Sequence, residues 1–207
     1  SVVLAQPDHP NYQAGVFGPP ITQHEIDRTI EAFSSGIGMT WDEHGAETCH
    51  FQAAMGAGGQ KAYLVPVILD SIDAMTERLR AGATVVDIGC GAGVAATTVA
   101  QAFPNSTVIG MDPSSHAIAS ASARAAEAGL DNLSFRQGTF DDLGEFADVD
   151  LLLTLDVIHD LPRPGAAVRS ARECLADDGV WMVADIRARG GLEDNRAIPV
   201  LPLMYGM

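Results

Sequence analysis

From residue 84 onward, apolar residues gather in short runs that alternate with alanine-rich stretches at helical spacing. Five runs read as strands: Thr84 to Ile88, Thr107 to Met111, Leu133 to Arg136, Asp150 to Leu155 and Val180 to Ile186. Several are apolar at consecutive positions rather than at alternate ones, the pattern of strands covered on both faces. Three helices fill the gaps. Val94 to Phe103 is closed by Pro104, Ser114 to Ala128 has a capping Ser114 and an ending Gly129, and Pro164 to Ala176 opens with a proline where the first turn tolerates it. This alternation predicts an α/β fold, a Rossmann-like and mostly parallel sheet with helices on both faces.

The first 81 residues read as helices without strands. Thr22 and Glu25 match a capping box for a helix reaching Phe33, and Ala62 to Arg80 repeats apolar residues at helical spacing, with a kink expected at Pro66. Between them, the glycine-rich stretch Gly36 to Gly59 reads as part of a helical cap with polar turns. Its His44, Cys49 and His50 match no standard zinc spacing, so no metal site is expected there. Trp41 either lines a pocket or covers apolar surface. The expected division is a helical cap on the substrate side over 1–81 and the sheet domain over 82–207.

A chain of 207 residues that is 47% hydrophobic and 19% charged can bury a substantial core. Twelve basic against 27 acidic residues give a formal charge of −15, which opposes contact with a phosphate backbone; nucleic acid is not an expected partner. Three scattered cysteines form no disulfide or C-x-x-C pattern, and the start Ser1 to Ala5 lacks the features of an export signal. No run of about 18 apolar residues suits a membrane helix. A cytoplasmic location is expected.

Chemistry concentrates in Val85 to Gly93, VVDIGCGAG. A buried strand ends at Asp87, and Gly89, Gly91 and Gly93 let the backbone turn sharply beside a ligand before a helix starts. That order also suits a dinucleotide, but the G-x-G-x-x-G fingerprint requires glycine where Val94 stands, and a carboxylate at Asp87 repels pyrophosphate. The same carboxylate attracts an ammonium group such as the methionine end of S-adenosyl-L-methionine. D-x-G-x-G-x-G is therefore read as a methyl-donor site.

The carboxyl ends of the other strands should complete it. Asp112, 25 positions beyond Asp87, can accept from both hydroxyls of a ribose, or it can merely start a turn with Ser114. Gly138, Thr139 and Phe140 would form a shelf for adenine, with the neighbouring Asp141 and Asp142 read as solvated acids. Strand four ends in TLDVIHDLPRP, whose His159 suits a general base at neutral pH or the capping of the following helix.

Taken together, VVDIGCGAG, VIGMDPS, QGTF, LDVIHD and VWMVADI resemble the class I S-adenosylmethionine-dependent methyltransferases across residues 84 to 186. The resemblance implies sheet order 3-2-1-4-5 and donor contacts from Asp87, Gly89, Cys90, Gly91, Gly93, Asp112, Pro113, Gly138, Thr139, Phe140 and Leu155. VIHDLPRP also resembles the I-x-H-D-W stretch of small-molecule O-methyltransferases, which maps the base onto His159, with a proline-linked loop in place of the tryptophan. Two departures stand out: Thr139 occupies a position where many relatives carry an acid, and no antiparallel hairpin is visible after Ile186. The pattern further resembles bacterial methyltransferase-like proteins that carry a winged-helix domain ahead of the cap, so both ends are expected to be missing. A sheet lacking those strands exposes an edge and a face, which a second copy in a homodimer or a further segment would cover. The expected activity is methyl transfer to a small-molecule acceptor through a hydroxyl. Its rivals are a donor-binding sensor within a DNA-binding protein and a nicotinamide-dependent oxidoreductase.

Overall fold

A computed structural model describes residues 6, 9–10, 22–187 and 190–196. Residues 1–5 and 197–207 lie outside the described residues, and with them the expectation for the apolar start and most of the segment on which the hairpin expectation bears.

Five parallel strands make one sheet in the order β3-β2-β1-β4-β5: β1 Thr84–Ile88, β2 Thr107–Asp112, β3 Leu133–Gln137, β4 Val149–Leu155 and β5 Leu175–Ala184. The expected fold and strand order both hold. Adjacent residues of β1 face opposite ways into two cores. On one side Val85 packs with Val99, Phe103 and Leu151, and on the other Val86 and Ile88 pack with Leu152, Ala167 and Ala171. The crossover helices are α4 Val94–Ala102, α5 Ser115–Ala128 and α6 Pro164–Cys174. Ser114 caps α5 by accepting from the N–H of Ala117, as its position predicts. Strand β5 begins five residues earlier than expected, because Leu175 pairs with Val149 before a register irregularity restores the ladder at Val180.

The cap is helical as expected, but one of its helices needs correction. The helical part of Gly36 to Gly59 is longer than its glycines suggest: a 3-10 turn, Trp41–His44, leads directly into the helix α2, Gly45–Tyr63, which packs on α4 and α5. Gly58 is required inside that helix, since a Cβ there would lie 2.3 Å from the carbonyl oxygen of His9. The predicted Ala62 to Arg80 helix is instead broken into a wide turn at Leu64–Ile68, a 3-10 turn at Leu69–Ser71 and the short helix α3, Met75–Ala81. Pro66 removes a helical donor, and the extended Ile72 and left-handed Ala74 complete the break. The capping-box helix α1, Gln23–Ser35, forms with both reciprocal bonds between Thr22 and Glu25. Among the described residues, no helix is long and apolar enough to cross a membrane.

Candidate functional site

The turn after β1 is held against β2, since the N–H groups of Gly89 and Cys90 both donate to the carbonyl of Met111, at 2.8 and 3.0 Å. Gly89, with φ 75°, lies so near the loop after β4 that a Cβ would come 2.5 Å from Val157. Gly91, with φ 52°, has no heavy atom within 4 Å of its missing Cβ, so backbone is presented to open space. Beneath the turn, Asp87 is 1% exposed and its Oδ2 has no hydrogen-bond partner. Burial pushes its carboxyl up to about 7; the Ala96 N–H pulls the other way, and the charge of Asp112 adds to the rise. Burial, then the charges of Asp87 and Asp112, also raises the Cys90 thiol, which stays protonated.

Asp112, at the end of β2, accepts from the Gly91 N–H through Oδ2 and from the Ser114 N–H through Oδ1, each at 2.9 Å. Both roles read from the sequence are thus compatible: Oδ1 starts the turn with Ser114, Oδ2 ties to the glycine loop, and each oxygen keeps a lone pair that can accept from a ribose hydroxyl. The adjoining Pro113 carbonyl accepts from Gln137 at 2.6 Å, and the Gly138 N–H donates to the Asp112 carbonyl at 3.1 Å, tying the ends of β2 and β3 together. Phe140 is placed differently from expectation. It is 7% exposed and packs against Trp181 with ring centroids 6.4 Å apart, so most of its ring lies in the core. Asp142 is not merely solvated: its Oδ2 accepts from the N–H and hydroxyl of Thr139 at 2.7 and 3.2 Å. A carboxylate therefore stands beside the position where the sequence shows threonine.

Beyond Leu155, Asp156 takes a left-handed φ of 64° and donates its N–H to the carbonyl of Ala184 at 2.7 Å, joining the ends of β4 and β5. The 3-10 turn Ile158–Asp160 follows. Asp185, one residue past β5, accepts from the N–H groups of Ile158 and His159 through Oδ2, while its Oδ1 lies 2.5 Å from His159 Nδ1. That pairing places the proton of neutral His159 on Nδ1 and leaves Nε2 as the basic atom, 3.2 Å from the exposed Asp160 carboxylate. Partial burial opposes charge on His159. The hydrogen bond to Asp185 and the charges of Asp160, Asp185 and Asp156 outweigh it, and the imidazole stays above its ordinary range. Partial burial raises Asp185, but the bonds from His159 and the Ile186 N–H hold it below the usual carboxylate range. Asp185 was not singled out in the sequence; its position directly after a late strand was the available clue. Asp156, His159 and Asp185 also offer one ligand atom each, all within 4.8 Å of one another, a grouping able to hold a cation.

Residues 79–198 match the family described as "Methyltransferase domain". The chain is 30% identical over 115 residues to the ubiquinone biosynthesis O-methyltransferase of Azorhizobium caulinodans, covering 55% of this chain and 44% of that protein. It is 38% identical over 102 residues to the trans-aconitate 2-methyltransferase of Deinococcus radiodurans, covering 49% and 37%. The chain thus spans less than half the length of these two relatives. A crystal structure of a candidate S-adenosyl-L-methionine-dependent methyltransferase from Methanococcus maripaludis superposes with a TM-score of 0.59 at 19% identity, covering 80% of this chain and 76% of that one, and supports the fold.

Proposed function

This chain belongs to the class I S-adenosyl-L-methionine-dependent methyltransferase family, and on that premise we propose that it transfers a methyl group to a hydroxyl of a small-molecule acceptor, with His159 as the base. The residues suit the family's cofactor. The unpartnered Asp87 Oδ2 can receive an ammonium group, the open backbone at Gly91 can receive the chain beside it, and the acceptor sites left on Asp112 suit a ribose. Asp87 and Asp112 also make this end of the sheet favour a cationic ligand over a pyrophosphate.

S-adenosyl-L-methionine supplies a methyl group already activated on a sulfonium, so the protein's task is alignment, exclusion of water and one proton transfer. The glycine turn, Asp112 and the Gly138–Thr139 backbone hold the cofactor, and Asp142 takes the place of an acid at Thr139 by facing the same loop. His159 stands at the carboxyl end of the neighbouring strand, where Asp185 fixes its tautomer and orientation. An acceptor hydroxyl would displace Asp160 from Nε2, give its proton to that nitrogen, and present its oxygen to the methyl carbon. The imidazolium that forms is stabilised by Asp185.

The observation that carries the assignment of the base is the 2.5 Å contact between His159 Nδ1 and Asp185 Oδ1. Its test is methyl transfer from labelled S-adenosyl-L-methionine to a panel of phenols, aliphatic alcohols and carboxylic acids. Phenol methylation that falls at least a hundredfold in His159→Ala is expected. Transfer to carboxylates alone, or a His159→Ala protein as active as the native one, would overturn the base.

A further inference from the structure

A side chain of the cap is linked to the glycine turn by hydrogen bonds. Asp42, in the turn Trp41–His44, accepts through Oδ1 from the Ser114 hydroxyl at 2.7 Å and from the Ser115 N–H at 2.8 Å. Its Oδ2 accepts from the Ser115 hydroxyl at 2.8 Å. These are the cap and the first residue of α5, where the helix dipole also favours a carboxylate. The bonds from Ser114 and Ser115 hold Asp42 below the usual carboxylate range, so it is charged throughout the neutral region.

The contact does not stop at the helix. Ser114 donates its N–H to Asp112 Oδ1, and Asp112 Oδ2 accepts from Gly91, so an unbroken series of hydrogen bonds runs Asp42, Ser114, Asp112, Gly91. Ser114 is shared between the two carboxylates, using its hydroxyl for one and its N–H for the other. Since the Asp112 carboxylate is held in its plane by that N–H and by Gly91, whatever fixes Ser114 also fixes which lone pairs of Asp112 face outward. The following helix α2 brings the cap still nearer: burial raises the Cys49 thiol, and the charge of Asp112 adds to the rise. Trp41, beside Asp42, meets His44 in a tilted contact at 5.4 Å between ring centroids.

We propose that Asp42 is a positioning residue for cofactor binding, docking the cap on the N-terminus of α5 and, through Ser114, orienting Asp112 toward the ribose. This rests on Asp112 and the glycine turn forming the S-adenosyl-L-methionine site. The role is invisible to motif reading, because the contact spans 72 positions.

The test is calorimetric titration of S-adenosylhomocysteine into the native chain and four variants, with thermal unfolding alongside and steady-state kinetics where turnover is measurable. Asp42→Ala should weaken binding roughly tenfold, and Ser115→Ala, which removes one of the three bonds, roughly threefold. Asp42→Asn keeps one acceptor oxygen and should recover part of the loss. Glu43→Gln, which weakens the ion pair with Arg28 on the same turn but leaves Asp42 in place, should bind as the native chain does. In kinetics, Asp42→Ala should raise KM for the cofactor and leave kcat within about twofold at saturation. A native chain that binds nothing defeats the cofactor site itself. A native chain that binds, with an Asp42→Ala variant of equal affinity, defeats the role of Asp42, whether or not its melting temperature falls. Equal weakening by Glu43→Gln would also defeat it, since cap integrity alone would then explain the loss.

Discussion

Replacing Asp87 with asparagine should make the empty protein more stable at pH 8 while weakening its hold on the cofactor. The folded carboxyl titrates near 7 rather than its ordinary 3.8, a displacement that costs the ionised form roughly 4 kcal/mol once the pH exceeds both values. A carboxyl raised in the folded state binds its proton more tightly there than when unfolded. Its contribution is therefore full below about pH 3.8 and is withdrawn as the pH climbs to about 7. Asparagine avoids that charge but brings a buried NH2 group needing acceptors, at about 1–3 kcal/mol. A net gain of about 1–3 kcal/mol is left at pH 8, which at 2–4 °C per kcal/mol for a chain this size raises the melting temperature by several degrees. At pH 5 the native side chain is protonated, and the gain should vanish or reverse. The assay is thermal unfolding of both proteins at pH 5 and pH 8, with calorimetric titration of S-adenosylhomocysteine at pH 8. There the variant should bind ten- to a hundredfold more weakly, having lost a charge-assisted hydrogen bond to the ammonium group. An Asp87→Asn protein less stable than the native chain at both pH values, with no pH-dependent difference, would refute the buried-charge argument.

Phenol methylation should require neutral His159, so kcat/KM should rise with pH through an inflection above the ordinary histidine value of about 6.5; a flat profile between pH 5.5 and 8.5 would contradict this. Asp185→Asn removes the partner that supports the charged ring, and it should move that inflection down and lower kcat; an unmoved inflection would show that Asp185 does not control His159. Dialysis against EDTA should leave at least half of the activity, because the base needs no metal. Loss of activity that magnesium or zinc restores would give Asp156, His159 and Asp185 to a cation instead. Gly91→Ala forces a side chain into a left-handed backbone that faces the open site, and titration should show donor affinity reduced at least tenfold, with unchanged affinity counting against the turn as the binding surface.

The sheet was readable because strands covered on both faces need consecutive apolar residues, as in Leu151 to Leu153, and because Pro104, Ser114 and Gly129 mark the helix ends. The cofactor turn was readable for a related reason: its glycines and Asp87 are local requirements of one short loop. Helix α2 was not, since Gly56, Gly58 and Gly59 disfavour a helix by propensity, and only the close approach of the His9 backbone explains Gly58. The burial of Phe140 was not readable, because an aromatic residue after a strand can turn toward a ligand or into the core, and its partner Trp181 lies 41 positions away. Asp185 and Asp42 were missed on the same grounds. Each acts by accepting hydrogen bonds from a distant loop, 26 and 72 positions away, and no spacing rule within a single segment records such a pairing.

The central claim is that the turn from Asp87 to Gly93 is an S-adenosyl-L-methionine site, and calorimetric titration of the native chain and of Asp87→Ala tests it most directly. Saturable binding of S-adenosyl-L-methionine and S-adenosylhomocysteine at one site per chain, lost or weakened at least tenfold by Asp87→Ala with the fold intact by circular dichroism, is the predicted result. Saturable binding of NADH with none of either sulfur ligand, or S-adenosyl-L-methionine binding that Asp87→Ala leaves unchanged, would contradict it.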